Sequence, residues 1–421
     1  MRFSAEQDIH DGSAEADESF VRKEIERIRG FVGNLSMGDP RQGTWFVKLL
    51  AFSLDGYVQE VDAAYFREKY PDLPADAVVD ARVRMAANYA GIEGGLSAAA
   101  YNGAVAATIG SGGAASPLTL PTGGVSFVVD MSYTTYLQLR MAHDIAVLHG
   151  VPLDIEDPDD MWKLVRIAFA IRVGETGGNA TLKFTPAVVR PVLKKMFSGQ
   201  RLAMVKGLPI VGKHLLQRNI IKFGIPIVGV PTAVLVNRWT TRVVGDQAKG
   251  ILRKEARIRE AASRLVSSTD AREELVWVLW LVMRVDGCAK DDELLLLHHV
   301  TEAMKKAGCD ESLLKELREP VELDESMVWR RIDSLEGAKK ALHDAAVVAA
   351  AVDGRIVSSE ISALKKLAVR CGVEYDSEGI EDCENSWRRL RGWFLRLRCD
   401  PWGVGPGRPP VPVRGEGPQD S

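Results

Sequence analysis

The chain has 421 residues, of which 46% are hydrophobic and 26% charged, and its formal net charge is -3. At ~150 residues per domain this length suggests two or three domains, and the composition excludes a mostly disordered, collagen-like or disulfide-stapled chain. A mean hydropathy of -0.05 argues against a polytopic membrane protein.

Residues 1–18 are acidic, lack the apolar segment of a signal peptide and read as a disordered N-terminus. Over 19–35, Phe20, Ile25, Ile28 and Val32 recur near one helical face. Residues 45–70 read as helix with a break at Asp55-Gly56, Pro71 to Pro74 as a turn, and a further helix starts at Ala75. From Gly94 to Val129 there is no charged side chain, but Gly110, Gly112, Gly113, Pro117, Pro121, Gly123 and Gly124 interrupt the run. That pattern predicts two short helical pieces joined by a Gly/Pro loop. The hairpin is either buried core or an interfacial membrane insertion, because a spanning helix needs ~20 unbroken apolar residues. Asp130 to His149 reads as a helix ended by Gly150 and Pro152.

Between Glu175 and Asp246 the chain carries eleven Lys and Arg and no acid. These cations are spaced among apolar residues with few aromatics, which disfavours a nucleic-acid stacking platform. They suit an anionic membrane surface, where each contributes about 1 kcal/mol. Lys206, Lys213, Arg218, Lys222, Arg238 and Arg242 are the candidate lipid-binding residues. Phe223 to Asn237 is a second uncharged stretch. A polar helix covers 247–266, and Asp270 with Glu273 fits a capping box opening the apolar helix LVWVLWLVMRV. A domain boundary is expected near 250–268. The Pro/Gly-rich tail, 399–421, should be disordered. The five cysteines are odd in number and form no CxxC pair, which fits a reducing, cytoplasmic compartment. No run of alternating strands appears, so the expected fold class is mainly α.

One internal repeat is visible: VDGCAKDDELLLL at 285–297 and VDGRIVSSEISAL at 352–364. Each follows an apolar helix. The Asp-Gly predicts a turn with positive φ, and Glu293 and Glu360 fall in the first turn of the next helix. These units resemble the TerB-like (tellurite-resistance) helical fold over about 268–375. The resemblance implies an acidic site for a divalent cation such as Ca2+, with Asp286, Asp292, Glu293, Asp353 and Glu360 as candidate ligands. The plainer reading is a turn followed by a helix-dipole carboxylate.

NYAGIEGGLSAAAYNG, the apolar Gly-rich stretch, FVVDMSYTTYLQLRMAHDIAVLHG and the later FGIPIVGVPTAVLVN resemble the EcsC family over about 75–255. Asp130, Gly150, Pro226, Gly229 and Asn237 carry the likeness, while His149 replaces the usual Tyr. This resemblance implies a bacterial protein associated with membranes or transport and secretion, with no established catalytic residues. The resulting organisation is an EcsC-like helical domain at 19–255 with a Gly-rich apolar hairpin, and a TerB-like helical domain at 268–398 with two pseudo-repeats.

Catalytic motifs are weak. Gly207 to His214 nearly matches a P-loop, but His214 replaces the hydroxyl that would hold Mg2+. Gly110 to Ala115 mimics a dinucleotide loop without the downstream acid, and neither HExxH nor GxSxG is present. Three functions compete on this basis. One is a non-enzymatic peripheral membrane protein of envelope or stress response, binding an anionic membrane surface or membrane protein, whose metal-responsive second domain takes a protein partner. The second is a metal-dependent hydrolase using the acidic Asp-Gly loops. The third is a nucleic-acid-binding protein.

Overall fold

The computed structural model describes residues 14–35, 44–110, 116–151, 153–154, 160, 163–164, 167–168, 182–183, 230–285, 288–309 and 325–396. They are mainly helical, as the sequence pattern predicts. The one extended pairing is β1 (Leu182–Lys183) against β2 (Cys288–Ala289), antiparallel and two residues long on each side.

The first half is built on three long helices: α5 (Ala75–Gly110), α6 (Ser116–Leu148) and α7 (Val230–Ser267). Ahead of them come α1 (Ala14–Gly33), α2 (Thr44–Leu54), α3 (Tyr57–Glu60) and α4 (Ala63–Lys69). On α1, Val21, Ile25 and Ile28 bury one stripe, spaced i, i+4, i+7. The helix begins at Ala14, ahead of residue 19; the rest of the acidic N-terminus and the tail 399–421 lie outside the described residues. The Asp55-Gly56 break is present between α2 and α3, with Gly56 at φ 75°. Asp62 caps α4 by accepting the Tyr65 amide at 2.8 Å.

The uncharged segment corrects the expected short pieces. Helix α5 runs on to Gly110 and α6 starts at Ser116, so Asp130 lies within a helix and does not open one. Gly91 and Gly94 lie where α5 approaches α7 closely. Pro117 sits where amides have no intrahelical acceptor. Gly150, at φ 69°, ends α6 with Gly150 N donating to Val147 O and Val151 N to Ala146 O, a Schellman motif.

Helices α5 and α7 run antiparallel, as their contacts show. Gly94 lies against Ala233 and Asn237, Gly91 against Val234 and Arg238, and Gly245 against Val83 and Met141. Further along the same register, Asp80 pairs with Lys249 at 2.7 Å and Asp76 with Arg253.

The 38-residue α7 runs unbroken from 250 to its end at Ser267 and serves two cores. Val244, Ala248 and Leu252 pack with α2, α5 and α6. Ile258, Ala261, Ala262 and Leu265 pack with α8 (Arg272–Arg284), α9 (Asp291–Lys306), α10 (Glu325–Ser334), α11 (Lys339–Ala351), α12 (Ser358–Cys371) and α13 (Ser377–Arg396). Helix α8 is buried on nearly all sides, as its composition predicts. Its expected capping box is absent. Thr269 Oγ1 accepts the Ala271 amide, while Glu273 turns to Arg331 and to Trp277 Nε1, so tertiary pairing outcompetes the local cap.

A Cβ at Gly245 would stand 2.6 Å from Val83, whereas one at Gly103 would meet nothing within 4 Å. Gly245→Ala should therefore cost about 1–3 kcal/mol in urea unfolding. Gly103→Ala should be neutral or stabilising by up to about 1 kcal/mol. Equal effects at both positions would contradict the close α5–α7 packing.

Candidate functional site

Two polar groups are buried within the α5–α6–α7 bundle. In the first, Arg82 donates to Asp144 from Nε at 2.8 Å and from Nη2 at 2.5 Å, and Tyr57 Oη donates to Asp144 Oδ1 at 2.8 Å. Burial opposes the Asp144 charge, but Arg82, His143 and Tyr57 together hold its carboxyl below the usual range. This acid is ionised and internally neutralised.

The second group joins all three helices. Asn237 Nδ2 on α7 donates to Asp130 Oδ1 on α6 at 3.2 Å and to Glu93 Oε2 on α5 at 3.4 Å. Ser97 Oγ donates to Glu93 Oε1 at 2.5 Å. Glu93 is 0% exposed and Asp130 6%. Burial first, then the Asp130 charge, push Glu93 well above the ordinary carboxylate range, and burial raises Asp130 as well. Gly94 makes this layer possible: a Cβ there would stand 2.6 Å from Asn237 Nδ2.

The opposite face of α7 is exposed at the same end of the bundle. Leu235 is 65% exposed, Trp239 49% and Val236 47%, with Arg238 and Arg242 exposed beside them. Across from this segment α5 presents exposed Ala99, Ala100 and Gly103. No helix among the described residues is long and apolar enough to cross a membrane.

In the second half the two repeat units meet. Glu293 Oε2 accepts the Lys290 amide at 3.0 Å, and Glu360 Oε2 accepts the Val357 amide at 2.8 Å, so each caps its own helix. Asp353 Oδ1 accepts the Arg355 amide at 2.8 Å, and Gly354 takes φ 79°. The remaining oxygens converge on one ammonium: Lys290 Nζ lies 2.9 Å from Asp353 Oδ2, 3.4 Å from Glu293 Oε1 and 3.7 Å from Glu360 Oε1. Burial works to discharge Lys290, and the carboxylates, led by Asp353, more than offset it and raise its pKa. Burial lifts Glu293 from 4.5 to about 7, against the Lys290 amide and ammonium.

Three of the five candidate ligands, Glu293, Asp353 and Glu360, therefore converge, but on a lysine. A divalent cation would have to displace Lys290, so the residues present do not fit one. Among the described residues no group of three or more His, Cys, Asp or Glu side chains is arranged to hold a metal ion. Asp292 pairs instead with Lys254 on α7, and Asp286 lies outside the described residues. Of the lipid-binding candidates, Arg238 and Arg242 are exposed on α7; Lys206, Lys213, Arg218 and Lys222 lie outside the described residues. Sequence reasoning missed Lys290, whose signal was a lone cation inside an acidic loop. It also passed over Glu93, a single acid in a long apolar run, and Glu255, which is buried against Lys163 at 2.6 Å and His299 at 3.4 Å. No family model, curated protein or solved structure matches this chain.

Lys290→Met should destabilise the fold by about 3–5 kcal/mol, the usual cost of leaving buried charges unpaired. The pH dependence has a defined sign. Folded Glu293 keeps its proton up to about pH 7, while the unfolded side chain releases it near 4.5. Its contribution is thus complete below about pH 4.5 and lost as pH rises through about 7. Denaturant titrations of Glu293→Gln should show a shallower fall in stability across that window than the unmodified chain; identical slopes would contradict the assignment.

Proposed function

We propose that this chain is a non-enzymatic, peripheral membrane protein that docks on anionic lipid through the exposed face at the start of α7 and the uncharged end of the α5–α6 hairpin. The observation that carries the reading is the side-by-side exposure of Leu235, Val236 and Trp239 with Arg238 and Arg242. Isolated surface leucines need no explanation, but a contiguous apolar stripe rimmed by cations does. Trp is suited to the headgroup level, and Arg can lay its stem on apolar surface while its charge reaches phosphate. The resemblance to EcsC-like chains, with its implied membrane association, supports the same reading. The second half, resembling TerB-like chains, then serves as a partner-binding module whose acidic centre is closed by its own lysine. Its Glu293 and Glu360 each hold a backbone amide and face Lys290, which favours a structural role for them over a hydrolytic one.

Co-sedimentation with phosphatidylserine-containing vesicles tests this. Binding should exceed that to pure phosphatidylcholine and fall with added salt. Arg238→Gln with Arg242→Gln should remove about 2 kcal/mol, or ~30-fold in affinity. Trp239→Ala should weaken binding further while leaving the salt dependence in place. Undiminished binding by these variants, or equal binding to neutral vesicles, would sink the reading.

A further inference from the structure

The buried acids of this chain divide into two kinds. Asp144 pairs with Arg82, Glu255 with Lys163, and Asp353, Glu293 and Glu360 share Lys290. Glu93 and Asp130 are buried as deeply, yet no Lys, Arg or His among the described residues pairs with either. The two carboxyls hydrogen-bond each other, and with Glu93 raised the pair holds a proton; a divalent cation is the other positive species that compensates two such acids.

A second observation concerns the surrounding hydroxyls. Tyr133, one turn beyond Asp130 on α6, is 0% exposed, and its hydroxyl has no hydrogen-bond partner among the described residues. Glu93 is the charged group that acts on it most strongly. Thr241, one turn beyond Asn237 on α7, is also 0% exposed, with a hydroxyl unpartnered among the described residues. Orphaned buried hydroxyls are rare, and these two lie one turn from Asp130 on α6 and one turn from Asn237 on α7.

We propose that Glu93, Asp130 and Asn237, with the Ser97 and Tyr133 hydroxyls, form a binding site for a single hard divalent cation inside the three-helix bundle. Every donor is oxygen, and two carboxylates match a charge of two. Asn237 would turn its amide oxygen inward in place of the NH2 group that now faces both acids. Access comes from the half-buried Ser97 and Asn237 side. Asn237 lies between Val236 and Arg238 of the exposed face, so occupancy would fix α7 against the hairpin close to the docking surface.

The test is Mn2+ titration of the full chain, stripped with EDTA, followed by electron paramagnetic resonance of free Mn2+. One Mn2+ should bind per chain, with competition by Mg2+ or Ca2+. Asp130→Asn and Glu93→Gln should each weaken binding at least tenfold, Tyr133→Phe severalfold, and Glu293→Gln not at all. Circular dichroism in EDTA confirms that each variant is folded; because each carboxylate variant puts a neutral amide of similar shape into a buried acid pair, at least one should match the parent in thermal stability. Absence of stoichiometric Mn2+, or binding that survives both carboxylate variants, would overturn the proposal and leave the pair holding a proton alone.

Discussion

The rest of the structure depends on one constraint: α7 must be buried along its length against two different sets of helices. Its first part lies on α5 and α6 through Val244, Ala248 and Leu252, and its last part enters the core of α8 to α13 through Ile258 and Leu265. A helix of 38 residues is about 57 Å long at 1.5 Å per residue, long enough to serve both. The face of α7 that stays outside the first core, at Leu235, Val236 and Trp239, is apolar as well. Solvent exposure of that stripe is unfavourable in the isolated chain, and lipid is the proposed occupant.

Charge inside the fold follows a consistent rule with one departure. A buried ion pair seldom adds net stability over an apolar alternative, but it specifies which groups meet. Arg82 with Asp144 fixes α5 to α6, Glu255 with Lys163 and His299 ties α7 to α9 and to residue 163, and Lys290 fastens the two repeat units together. Lys290 supplies internally the positive charge that an acidic loop would otherwise take from solution. Among the described residues the Glu93–Asp130 layer has no such partner, which makes it the place where an external cation has most to offer.

Much of the helical frame was legible in the sequence because its signals are local. Gly150 stopping α6, the break at Asp55-Gly56, the stripe on α1 and the apolar α8 all follow from turn chemistry and periodicity. The repeat placed Glu293 and Glu360 at helix starts for the same reason. What could not be read locally is pairing across the fold. Gly110 to Gly124 looked like breaks from local chemistry alone, whereas nothing local marked Gly94 as the place of a close helix approach that Asn237, far along the chain, explains. Glu273 looked like a cap until Arg331 claimed it. Asp353 and Lys290 meet only because α11 and α12 fold back on α8 and α9.

The most direct measurement of the central claim is hydroxyl-radical footprinting of the full chain with and without anionic vesicles. Leu235 and Trp239 should be oxidised in solution and protected on vesicles. Leu73 and Val369, which are 51% and 82% exposed elsewhere on the surface, should be oxidised equally in both states. Protection of Val369 or Leu73 with Trp239 unchanged would contradict docking through α7.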